Sequence, residues 1–467
     1  MLDLLIKGGT VVSPDSAVQQ DVGVRDGRVV LLGAPGSIEA EASHTIDAGG
    51  KYVVPGGIDS HVHFNAALSP VMKAQSATAG SLAAAYGGTT TFIDFAFQAG
   101  DQSLVHQIEL KQDELAKDAP HVDYALHAMM TGKASFEAIE EIREAISGGV
   151  SSFKMFTTFS GDSAVGGMYM EDGRIWGVMT QTARHGGIVM VHCEDDCIID
   201  WNVRKLYREG RQQPENIWQA RPNLCEEAAM SRVLLLARRS GSPVYIVHVS
   251  TREGVEMLAE ARGRREPAYG ESLHNYLAFN YTDYQKKPNG MTHHNYPSLK
   301  SPEDQQAIWQ GVQSGILDTI ASDDFTIPLK QKMSGTSVDT VPGGHNGIET
   351  RMAYAFSEGV ITKRIDIKRY VELTATAPAK IFGLYPRKGV IAPGSDADIV
   401  IIDPGARTKI RLDDLHSDCD YSLWDGWEMA GHPMTTILRG NVLVQNGRWV
   451  GPEGAGQFVE CGSPGEP

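Results

Sequence analysis

From residue 89 to residue 324 the chain alternates short apolar runs with stretches of helical spacing, and few architectures accept that rhythm. The runs stand at 89–96 (TTTFIDFA), 122–129 (VDYALHAM), 151–158 (SSFKMFTT), 187–193 (GIVMVHC), 243–250 (PVYIVHVS), 267–273 and 318–324 (DTIASDD). Helix-like segments such as SFEAIEEIREAI and EEAAMSRVLLLARR lie between them. Strand and helix in strict alternation predict parallel βαβ units. With the run at 53–61 the strands number eight, as in a TIM barrel. A doubly wound open sheet is the competing arrangement, and counting alone does not remove it.

The two ends of the chain read differently. LLIKGGTVVS, VGVRDGRVVLLG and SHTIDAGGKYVV are β-branched runs broken by Asp-Gly and Gly-Gly turns, and the same texture returns at VIAPGSDADIVIID and TTILRGNVLVQNGRWVG. Such runs predict antiparallel hairpins. The expected organisation is α/β: a TIM (β/α)8 barrel over 54–385, bracketed by a smaller β-sandwich domain built from 1–53 and 386–467. The Gly/Pro-rich last dozen residues are expected to lack order.

Composition narrows the partners. The formal charge of −16 is opposite to the basic footprint of a nucleic-acid binder and disfavours anionic membranes. No apolar run approaches the roughly 20 residues of a spanning helix. The first residues, MLDLLIKGGTVVS, lack the apolar core and small-residue cleavage site of a secretory signal. The expected location is the cytoplasm. Cys193, Cys197, Cys225, Cys419 and Cys461 are odd in number and scattered, so free thiols are expected.

Polar residues stand where the apolar runs stop. The first ends in Asp59-Ser60-His61-Val62-His63. Positions i and i+2 of a strand share a face, so His61 and His63 project together, as a zinc-like ion requires. An HxH pair alone is a weak signal. Lys154 lies inside an apolar run, where an ammonium is costly unless paired or neutralised. It either snorkels to the barrel mouth or is carboxylated by CO2 to a carbamate that bridges two metals. His192 and His248 end two further runs, and each alone reads as a neutral core histidine. Asp323 ends the last, where a carboxylate can bind metal and accept a proton. Together, four histidines, a lysine and an aspartate occupy the ends of the first, fourth, fifth, sixth and eighth runs. Barrel active sites lie on that face, and six unrelated accidents in that order are improbable. The pattern points to a binuclear metal site.

These residues, with PGGIDSHVHFN, SSFKMF, VHCED, YIVHVS, IASDDFT, NGIETRM and DYSLWDGW, make the chain resemble the cyclic amidohydrolases: hydantoinases, dihydropyrimidinases and allantoinases. The likeness runs from about residue 3 to 450. It implies His61 and His63 at the more buried metal and His192 and His248 at the more exposed one. Carboxylated Lys154 would bridge them, and Asp323 would complete the first site and act as general base. It further implies two divalent ions, zinc foremost, a small cyclic amide or imide substrate opened to an N-carbamoyl or similar acid, and a homotetramer. An allantoinase, or another hydrolase of purine or xenobiotic rings, is the alternative; a metal-free scaffold of the same fold fits less well, since every ligand position is filled. Dihydroorotases carry HxHxR, and Asn65 stands at the arginine position.

The substrate positions depart from the resemblance. Phe159 replaces a tyrosine usual five residues after the lysine, and Tyr169, in a lengthened segment, is the candidate substitute donor. Tyr296 stands for a usual serine, Gly343 for an asparagine, Asp195 for an asparagine, and Asp324 for a histidine.

Overall fold

The structure, a computed structural model, describes residues 1–69, 72–160, 167–286 and 288–467. Its centre is a parallel sheet of eight strands: β1 (Gly57–Asp59), β2 (Thr89–Gln98), β3 (Asp123–Met130), β4 (Ser152–Phe156), β5 (Ile188–His192), β6 (Val244–Ile246), β7 (Ala268–Leu273) and β8 (Thr319–Ala321). They pair strictly in chain order from β1 to β8, which an open doubly wound sheet does not do. Just past the ladder, Val62 bridges Asp324 in parallel, and His63 N–H donates to Asp324 O at 2.9 Å. That contact brings β8 back to β1 and gives the barrel.

The strands bury both faces, as parallel barrel strands must. Ile58, Ile93, Phe95, Ala125, Met129, Ile188, Met190 and Tyr245 fill the interior. Phe92, Tyr124, Leu126, Phe153, Met155, Val189 and Val191 face the surrounding helices. Helices such as Leu104–Asp118, Asp172–His185 and Asn223–Ser240 form that outer layer. SFEAIEEIREAI is broken into two short helices, Phe136–Glu140 and Ile142–Ser147.

The chain ends share a nine-stranded sheet ordered Arg448–Trp449, Asn441–Gln445, Glu428–Leu438, Ile399–Lys409, Tyr52–Pro55, Leu2–Val12, Ala17–Arg25, Arg28–Gly33, with Ala42–Asp47 branching from Leu2–Val12. Its two halves share one core, including Leu4, Ile6, Val22, Val24, Val53, Ile399, Ile401 and Ile437.

Two features differ from the sequence reading. The apolar run at 53–61 is not one strand: Tyr52–Pro55 belongs to the outer sheet and Gly57–Asp59 to the barrel. The chain changes sheets at Gly56, where a Cβ would collide with the Thr90 side chain. The last dozen residues are docked, not loose. Tyr124 N–H donates to Gln457 O at 3.0 Å, Val459 N–H donates to Tyr124 O at 2.7 Å, and Val459 and Cys461 are buried. Those few apolar anchors and main-chain bonds outweigh the Gly/Pro-rich composition.

The five cysteines are free, and among the described residues no helix is long and apolar enough to cross a membrane.

Candidate active site

Lys154 and His192 stand within β4 and β5, and the other predicted residues sit on the irregular backbone just beyond the strands. His61 and His63 follow β1; His248 and Asp323 lie two residues past β6 and β8. His248 and Asp323 adopt left-handed φ of 41° and 50°, as does Phe159 at 71°. Non-glycine residues hold such angles only where surrounding structure over-determines them, and they cluster at functional sites.

The turns gather the predicted side chains. The rings of His61 and His63 are 5.1 Å apart, those of His61 and His248 5.7 Å, and those of His192 and His248 4.5 Å. Asp323 Oδ1 lies 3.1 Å from His63 Nε2 and 3.3 Å from His61 Nε2. One ligand atom each from His61, His63 and Asp323 falls within 4.8 Å of the others, a grouping able to hold a metal ion. Lys154, 1% exposed, places Nζ 3.5 Å from His61 Nε2. Among the described residues no carboxylate lies within ion-pair distance of it; the centroids of the Phe95 and Phe156 rings stand 5.5 and 5.0 Å from Nζ.

Two buried carboxylates orient the imidazoles. Glu271, on β7, accepts from His61 Nδ1 at 2.8 Å, from Tyr245 Oη–H at 2.9 Å and from His248 N–H at 3.1 Å. This fixes the His61 tautomer and leaves Nε2 facing the centre. Glu194 Oε2 stands 2.9 Å from His192 Nε2, so Nδ1 of His192 faces inward. Glu194 is itself paired with buried Arg221. Burial would raise its carboxyl, but the Arg221 guanidinium, His192 and Lys300 together outweigh this and hold it at about 2.

The electrostatics favour cation binding. Burial lowers His63 to about 4 and also lowers His192 and His248, so the rings are neutral donors. Burial brings Lys154 down to about 8, within reach of a neutral amine. For Asp323, burial acts upward, yet the imidazoles of His61, His63 and His248 prevail and keep it well below the usual carboxylate range. His248 Nδ1 is buried without a hydrogen-bond partner. A convergent N/O donor set with an orphaned ring nitrogen suits divalent cations.

Asp324 points the other way. Its carboxylate accepts from Gln75 Nε2 at 3.0 Å, Thr326 Oγ1–H at 2.7 Å and the Gly347 and Ile348 amides at 2.9 and 3.1 Å. It ties the β8 end to neighbouring loops.

A cavity of about 620 Å³ opens over the ligands, with Phe159, Tyr296 and Gly343 in its wall. That is the usual size of a small-molecule pocket. Tyr169 stands outside it: Met170 N–H donates to Phe156 O at 2.8 Å, and the Tyr169 ring is 36% exposed. Part of the lengthened segment, 161–166, lies outside the described residues. Asp195 caps the helix Asp196–Arg208 and pairs with Arg232 at 2.6 Å.

Sequence reasoning missed Glu194, Glu271, Arg221 and Asn295. Asn295 Nδ2 donates to Asp323 Oδ2 at 2.7 Å, and its Oδ1 accepts from Gly344 N–H at 3.0 Å. The signal was present for Glu271: a charged residue inside an apolar strand, the same cue that marked Lys154.

The amidohydrolase family model matches residues 52–443. The D-hydantoinase of Streptomyces coelicolor is 34% identical over 462 residues, covering 97% of both chains. A D-phenylhydantoinase of Escherichia coli is 34% identical over 460 residues, covering 98% of this chain and 97% of its own. Among solved structures, the dihydropyrimidinase from Brevibacillus agri superposes with a TM-score of 0.93 at 31% identity, covering 99% of both chains. The L-hydantoinase from Arthrobacter aurescens superposes at 0.90 and 31%, covering 98% of this chain and all (100%) of its own.

Proposed function

The chain belongs to the amidohydrolase family, in its hydantoinase and dihydropyrimidinase branch, and from that premise we propose that it hydrolyses a cyclic amide or imide through two divalent metal ions. His61 and His63 would hold one ion, His192 and His248 the other, with Asp323 on the first and a carbamate on Lys154 shared between them. The observation that carries this reading is Lys154: a buried lysine that, among the described residues, has no carboxylate within ion-pair distance and stands in the cluster of His61, His63, His192 and His248. As an ammonium it is a buried charge whose desolvation outweighs the attraction of Asp323 and Glu271. As a neutral amine it adds CO2, forming an N–C bond and releasing one proton, and the resulting anion matches the histidine donors. Imidazole and carboxylate ligands suit zinc.

Such a metal pair, when bound, supplies an acidified water and a polarised amide carbonyl. The rest belongs to the chain. Asp323, ionised over the working range, takes the proton of the attacking water and returns it to the departing ring nitrogen. Asn295 fixes the plane of that carboxylate through Oδ2. The product is the ring-opened acid, an N-carbamoyl amino acid where the ring is a hydantoin. A homotetramer and a cytoplasmic setting belong to the same proposal, and sedimentation decides the first.

The test is a turnover screen on hydantoins, dihydrouracil, allantoin and cyclic imides with metal-loaded and chelator-stripped protein. Ring opening that vanishes on stripping and returns with zinc supports the reading. Turnover indifferent to metal overturns it.

A further inference from the structure

Lys332 closes the helix Leu329–Lys332 a short way past β8, and its side chain is wholly buried. Among the described residues it has no carboxylate within ion-pair distance; its Nζ faces main-chain oxygens instead. It donates to Pro342 O at 3.1 Å and, more closely, to His294 O and Gly344 O. An ammonium has three N–H donors, and here they meet three carbonyls. A neutral amine would turn a lone pair on one of those oxygens. Burial lowers the group to about 7; a buried charge without a counter-ion is costly, and the three charge-assisted bonds offset that cost. Lys154 is the opposite case, since its Nζ stands beside imidazole and aromatic rings. The carbamate proposed there does not extend to Lys332, where an anion would meet three carbonyl oxygens.

Those carbonyls belong to peptides that enter and leave one edge of the cavity. His294 O precedes Asn295, Pro342 O precedes Gly343, and Gly344 O ends the glycine pair; Asn295, Gly343 and Gly344 all line the cavity. The glycine pair cannot anchor itself. A Cβ on Gly343 would stand 2.5 Å from Tyr296 Cδ2, and Gly344 holds a left-handed φ of 85°. A stretch without side chains has the most backbone freedom to lose, so its position rests on main-chain bonds. Gly344 N–H donates to Asn295 Oδ1 at 3.0 Å, and Asn295 Nδ2 donates to Asp323 Oδ2 at 2.7 Å. Tyr296 Oη–H joins the same two segments by donating to Val341 O at 2.7 Å. A path of hydrogen bonds therefore runs from the buried ammonium, through both segments and the Asn295 amide, to the carboxylate.

Resting on the proposed hydrolase reading, we infer that Lys332 is a positioning residue: its ammonium clasps the 294–295, 342–343 and 344–345 peptides together and, through Asn295, holds the Asp323 carboxylate in the plane from which it moves its proton. Lys332 touches neither the cavity nor the reacting atoms, so it acts only through that path. A second cavity of about 180 Å³ lies on its other side, lined by Met291, Lys332, Met333 and Val341 and reaching exposed Lys286. A small amine has a way in from there.

The test uses the full chain. Lys332→Met keeps the volume and removes the donors; it should lower kcat by ~10–100-fold, the scale of a misplaced catalytic group. In an Asn295→Ala background the same change should cost no more than ~2-fold, because the path is already cut. Hydrogen exchange needs no substrate: Lys332→Met should speed exchange of the 293–296 and 341–346 amides by at least ~10-fold while the barrel strands stay protected. Where Lys332→Met does not fold, Lys332→Ala titrated with propylammonium carries the test, read by Tm and kcat. Propylammonium should restore both, and n-propanol, of similar size with one donor, should not. Faster exchange in those two segments from a chain that opens no ring overturns only the hydrolase reading. Unchanged exchange, equal losses with and without Asn295, or rescue by n-propanol as good as by propylammonium overturns the clasp.

Discussion

The floor of the site and its wall have followed different rules. On the floor, the candidate cation donors converge, and buried carboxylates behind two of them set the ring orientation: Glu271 for His61, Glu194 for His192. On the wall, Tyr296 turns its one hydroxyl away, and Phe159 and Gly343 bring none. Floor positions depend on one another through charge and hydrogen bonds, so single changes are penalised at once. Wall positions depend on one another through volume, so Tyr296 and Gly343 can change together at little cost.

The contrast breaks if floor and wall respond alike to mutation. The largest effect is expected from Lys154→Ala, which should lose both metals and all ring opening. Elemental analysis beside turnover checks it, and partial return of activity with added short carboxylic acids would sharpen the case. Next is Asp323→Asn, expected to lower kcat by ~10²–10⁴ with little change in Tm. Asp324→Asn is its control: it touches Gln75, Thr326 and two amides rather than the cavity, so it should act on stability more than on kcat. Equal collapse of kcat in both would reverse the assignment.

Glu271→Gln should weaken metal retention by ~10–100-fold, as loss of an orienting carboxylate typically does. A chelator titration reads this without any substrate. The smallest effect is expected on the wall. Phe159→Tyr should raise kcat/KM on unsubstituted hydantoin by only up to ~10-fold, less than the ~10²–10³ of a well-placed oxyanion donor. The braced Tyr296 ring limits where a new hydroxyl can sit. No change on any ring would show that a donor at 159 is irrelevant.

The eight strands and the clustering of the candidate residues were legible because periodicity and strand-end position are local properties. His61, His63, His192, His248 and Asp323 stood at the ends of apolar runs and Lys154 inside one, and the structure brings them together. Left-handed turns at His248 and Asp323 were not legible, since nothing local marks them; the barrel mouth imposes them. The split of the 53–61 run at Gly56 depends on Thr90, a contact across the fold. Arg221 and Asn295 were hidden for the same reason, as their partners lie 27 and 28 residues away in sequence. Tyr169 was proposed from a loop of altered length, where sequence offsets no longer map onto direction, and its ring stands outside the cavity.

The most direct test of the central claim is the chemical state of Lys154. Protein metal-loaded under ¹³C-labelled CO2 should show a single carbamate carbon by NMR, alongside two metal ions per chain, and Lys154→Ala should show neither. Two tightly held metals with Lys154 as an unmodified ammonium would contradict the account.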